Sequence, residues 1–154
     1  MSTTQTLTRK PTPSPGTKRF GYLVAVAVNV VMIVVANNIL EWGWLPFLTE
    51  DFASLLWLIN ISLGATILAN IVYMSFDPPW FKSLTRIGLN LISLIVTIRM
   101  LQVFPFDFSG YQFDWEIVTR VVLILAIIGT AIAVVVETVK LATGWDDNPR
   151  LRAE

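Results

Sequence analysis

Arg99, Arg120 and Glu137 stand within long apolar stretches of this 154-residue chain, as do Asn29, Asn60, Asn70 and Asn90. In a low-dielectric medium such side chains have two uses. They line a path for an ion or solute, or they bind helices to one another through hydrogen bonds and ion pairs. Their spacing favours the second use. Gly21, Ala25, Asn29 and Ala36 recur on one helical face, and Ser62, Ala65, Thr66, Ala69 and Asn70 on another. Arg86, Asn90, Ser93 and Thr97 form a third stripe; Ala126, Gly129, Thr130, Ala133 and Glu137 form a fourth. Small side chains let backbones approach, and neighbouring polar ones bond across the contact. A polar cavity lined by the four asparagines is the competing reading.

The residues that are absent restrict the chemistry further. The chain has no histidine and no cysteine, which removes histidine-ligated haem, thiolate metal clusters, disulfides and His-dependent nucleophile pairs. Its acidic residues lack the dense pattern of a calcium loop, and no glycine-rich phosphate loop or GxSxG motif occurs. No enzymatic activity, no cofactor and no nucleic-acid partner is expected.

Composition names the medium in which these groups work. Hydrophobic residues make up 55% of the chain and charged residues only 14%, far from ordinary soluble usage. Four windows, residues 20–40, 53–74, 87–104 and 117–141, are each about long enough at ~1.5 Å per residue to cross ~30 Å of hydrocarbon. The expected fold is all-α, a four-transmembrane-helix bundle of two antiparallel helical hairpins spanning residues 20–145. The Ser-, Thr- and Pro-rich residues 1–19 read as a disordered tail, and residues 146–154 as a second loose tail. The first window is too long for a cleaved signal and is expected to persist as an anchor.

Basic residues orient the helices. Of the 11 lysines and arginines, all but Arg99 and Arg120 precede the first window, sit between the second and third, or lie at the inner end of the last window (Lys140) and beyond it. The connections over residues 41–52 and 105–116 hold no basic residue, yet contain Glu41, Glu50, Asp51, Asp107, Asp114 and Glu116. The positive-inside rule therefore places both termini in the cytoplasm, in a multi-pass protein of the cell membrane. Aromatic residues mark both interfaces, Trp42, Trp44, Phe47, Phe106, Tyr111 and Trp115 on one side and Tyr22, Tyr73, Trp80, Phe81 and Trp145 on the other. Pro78 and Pro79 are expected to stop a helix and to lay Trp80 and Phe81 along the membrane surface.

The charged groups within the spans need partners. Glu116 precedes Arg120 by four residues, the favourable order on a helix, at the positive helix start. Glu137 has Lys140 three residues on and is expected to reach the interface beside it. Arg99 lies about 200° around its helix from Thr97, so the Arg99 face and the Asn90, Ser93, Thr97 face cannot both look inward. A guanidinium cannot satisfy itself on its own helix, whereas hydroxyls can. The Arg99 face, shared with Gly88, Ile92, Ile95 and Gln102, is therefore expected to meet protein. Its carboxylate partner would be Glu41, extended by Asn37, or else Asp107. These features point to a structural or accessory membrane protein that associates laterally, as a homo-oligomer or with other membrane proteins, in the lipid bilayer. A small homo-oligomeric channel or transporter is the alternative.

Overall fold

The computed structural model describes residues 15–143. They form four long helices, α1 (Pro15–Trp42), α2 (Leu56–Ser75), α3 (Pro79–Val103) and α4 (Trp115–Thr143), with a 3-10 turn over Glu50–Leu55 leading into α2. All four spans are long and apolar enough to cross a membrane, and the chain is a multi-pass membrane protein. Antiparallel hairpins α1/α2 and α3/α4 carry the main contacts, and α2 against α3 joins them. Among the described residues there is no strand beyond one isolated bridge between Leu48 and Phe106.

Local chemistry sets the helix ends. Gly43 takes φ +61° just after α1, the left-handed conformation that stops a helix at no Cβ cost. Pro79 occupies the first turn of α3, where its missing N–H is not needed and its fixed φ suits the helix. Phe104 closes α3 at φ 45° and ψ 65°, donating its N–H to Met100 O at 2.9 Å. The Pro105 ring disfavours continued right-handed helix at the residue before it. Asp114 caps α4 by accepting from the Ile117 N–H at 3.4 Å.

Two boundaries differ from the sequence expectation. Residues 15–19, read as tail, are already helical, and α3 begins at Pro79 rather than at residue 87. An apolar window stops where Lys82 and Arg86 begin, but a helix needs no hydrocarbon around its first turns, and long basic side chains reach headgroups from it. Pro79 thus opens a helix, and Trp80 and Phe81 ride on its first turn. The tail expectations for residues 1–14 and 146–154, and the interfacial placing of Trp145, lie outside the described residues.

Few side chains are enclosed. Phe52, Leu55, Leu58, Ala69 and Tyr73 form the apolar core, Pro105 is fully covered, and Glu137 is a buried charged residue. α3 contains no buried residue although it touches both α2 and α4.

Candidate functional site

The polar groups within the spans divide into self-satisfied residues and cross-helix ties. Asn29 donates to Ala25 O and Asn70 to Thr66 O, each at 2.7 Å on its own helix. Asn60 instead forms a reciprocal amide pair with Asn37 of α1, at 2.8 and 3.0 Å. Asn37 is therefore not an extension of an Arg99 network; it joins α1 to α2. Asn90 is half-buried, on the same face as Ser93 and Thr97.

Arg99 departs from expectation in both face and partner. Its Nη1 donates to Gln102 Oε1 at 3.4 Å, one turn along α3, and neither Glu41 nor Asp107 pairs with it. The faces of α3 are the reverse of those expected. Leu84, Gly88, Leu91, Ile95, Arg99 and Gln102 are exposed, whereas Asn90, Ser93 and Thr97 are half-buried. Close helix approach selects the face with the smaller side chains, and Thr97 meets its need by donating to Ser93 O at 2.8 Å. Arg99 sits about 6 Å of rise from the end of α3, so a long side chain directed outward reaches the interface.

Glu137 also departs from expectation. Rather than reaching the interface beside Lys140, it turns between helices to Arg86 Nη1 at 3.3 Å. The Glu137 side chain is 12% exposed and that of Arg86 56%, so one member of the pair is covered and the other is open. The second carboxylate oxygen, Oε2, is buried without a hydrogen bond. A local i, i+3 pairing was the only one legible in the sequence; Arg86 is 51 positions away and meets Glu137 only because α3 and α4 run antiparallel.

At the end of the molecule that holds the α2–α3 connection, Tyr22 donates to Asp77 Oδ1 at 3.1 Å, and Lys82 pairs with the same carboxylate. The Lys82 ammonium lies 5.4 Å from the Tyr22 ring centre and 5.8 Å from that of Tyr73. Tyr73 packs against Tyr22 and Phe81, with ring centres at 5.6 and 6.1 Å. This cluster ties the first turns of α1 to α2 and α3. Its signal in the sequence was the aromatic belt, which does not distinguish packed rings from rings lying in headgroups.

The opposite end is a built cap. The Leu48–Phe106 bridge brings the two loops together, with Thr49 N–H donating to Pro105 O at 3.0 Å and Asp107 N–H to Phe47 O at 2.7 Å. Phe47, Phe106, Phe108 and Tyr111 cluster over the bridge, and Phe47 and Phe108 stack at 5.3 Å. Arg120 Nη2 pairs with Glu116 at 2.9 Å, and its guanidinium covers the Phe104 ring at 4.0 Å. That contact helps hold Phe104 in its left-handed conformation, which costs a non-glycine residue about 1–3 kcal/mol. The Ser109 N–H, donated to Asp107 Oδ1 at 2.9 Å, holds the Asp107 carboxyl below its ordinary range. Asp107 is thus charged at neutral pH. No group of three carboxylates converges as a metal site among the described residues.

The fold and these sites define a class, the four-span helical membrane proteins, with ion-paired helix contacts and an aromatic cap joining two loops. No protein-family model, no curated protein and no solved structure matches the chain.

Proposed function

We propose that this chain is a non-enzymatic structural or accessory subunit that works by lateral association within the cell membrane, with both termini in the cytoplasm. The observation that carries this reading is the open stripe on α3. Leu84, Gly88, Leu91, Ile95, Arg99 and Gln102 recur every three or four residues and are uncovered. A Cβ built on Gly88 would meet nothing within 4 Å. Such a seam has the spacing by which a further helix packs, a small residue for close approach, and polar groups at one end to fix register. Arg99 and Gln102, bonded to each other at the end of the stripe nearest the interface, keep further donors and an open face for a partner helix.

The test is native mass spectrometry of the full chain extracted with its partners, beside flux measurements in liposomes. A defined oligomer or complex with no flux is expected, and Gly88→Leu should dissociate it while leaving helix content intact. A chain that remains monomeric and partner-free would overturn the reading. The orientation has its own measurement: a periplasm-active reporter should be silent when fused after Trp145 and active when inserted near Gly110.

A transport reading has one observation in its favour, the Arg86–Glu137 pair between α3 and α4 with a buried carboxylate oxygen left over. Solute leakage abolished by Glu137→Gln would support it.

A further inference from the structure

We propose that the cap is a binding site for a lipophilic organic cation, its apolar body among the aromatic rings and its charge beside Asp107 and Asp114. Two adjoining clefts meet there. One, of about 420 Å³, is lined by Phe47, Phe106, Phe108, Tyr111, Trp115 and Thr119. The other, of about 400 Å³, shares Phe106, Phe108, Tyr111 and Trp115 and adds Asp107, Asp114 and Glu116. Each is within the size range of small-molecule sites; the first supplies apolar walls and the second, mostly polar in lining, supplies the carboxylates.

The charge of the site selects the sign of its ligand. No lysine or arginine lines either cleft. The nearby Arg120 is already held by Glu116 and by the Phe104 ring, which leaves Asp107 and Asp114 to set the local field. Asp107 takes one hydrogen bond from Ser109 and Asp114 one from Ile117, and both retain acceptor capacity. The rings act in the same direction, because aromatic faces carry negative quadrupole potential and attract a cation within about 6 Å of the ring centre. Phe106 and Phe108 lie nearly parallel at 6.1 Å, and Tyr111 stands edge-on to Phe108 at 6.2 Å. An anion of the same shape would meet the same apolar walls with the wrong charge.

The site is also preorganised. The inter-loop hydrogen bonds, the covered Pro105 and the left-handed Phe104 fix the backbone on which the rings stand, so little ordering is charged against binding.

Tetraphenylphosphonium and tetraphenylborate share size and shape and differ in sign, which makes them the probes. The full chain in nanodiscs of zwitterionic lipid should bind tetraphenylphosphonium saturably above empty nanodiscs, quenching tryptophan fluorescence, and should not bind tetraphenylborate in this way. The double variant Asp107→Asn/Asp114→Asn should weaken binding by about tenfold, since two carboxylate charges near the ligand are removed. Asparagine retains both backbone hydrogen bonds, so helix content should be unchanged. Added salt should weaken the wild type and leave the double variant nearly unaffected. Equal saturable binding of both ions, unchanged affinity in the double variant, or no saturation above empty nanodiscs would each overturn the site. Because neither aspartate bonds to or pairs with a residue of the α3 stripe, loss of cation binding in the double variant and loss of lateral association in Gly88→Leu are read separately.

Discussion

Arg86→Leu is expected to lower the stability of the helical assembly by about 2 kcal/mol, measured by reversible unfolding in mixed micelles. Removing one partner of a fully buried pair typically costs ~3–5 kcal/mol, because the remaining charge loses its compensation. The figure here is smaller because Arg86 is more than half exposed, and outward-facing charges are screened. Glu137 is the covered member, so the loss falls on its carboxylate, which already has one oxygen without a hydrogen bond. Arg86→Leu combined with Glu137→Leu should recover most of the loss, since two apolar side chains suit the α3–α4 contact. If the double variant instead loses the sum of the two single effects, the two residues do not act as a pair.

Tyr73→Ala carries the largest expected packing effect, about 3 kcal/mol, in the range of large-to-small substitutions at enclosed aromatic sites. Tyr73 is 8% exposed and touches rings from α1 and α3, so its removal loosens three helices together. The contact between Lys82 and its ring is lost as well. Tyr73→Phe should behave in the opposite way. The Tyr73 hydroxyl is buried with no hydrogen-bond partner, and deleting an unsatisfied group removes a desolvation cost of about 1–3 kcal/mol. The phenylalanine variant should therefore match or exceed the wild type in unfolding midpoint. A loss as large as that of the alanine variant would mean that the hydroxyl, not the ring, holds the cluster.

The medium, the number of spans and the hairpin order were legible in the sequence, because crossing hydrocarbon demands helices and about 20 apolar residues each, and short connections enforce antiparallel neighbours. The Glu116–Arg120 contact was legible for a related reason: both residues lie on one helix four positions apart, where geometry is set by the backbone alone. Contacts between helices were not legible. Arg99 had two carboxylates available in the loops and took Gln102, while Glu137 had a neighbouring lysine and took Arg86. The rotation of α3 about its axis decided both results. The sequence offered two polar faces on α3 at about 200° to each other, and periodicity does not say which face a neighbouring helix will cover. Close packing on the small residues Asn90, Ser93 and Thr97 chose the face, and Arg99 was left outside. The cap shows the same division. Its aromatic residues announced an interface by composition, but the bridge from Leu48 to Phe106 joins loops 58 positions apart in sequence. Only the tertiary structure could convert those scattered rings and carboxylates into a pair of adjoining clefts, because a cleft is a property of separate segments held side by side.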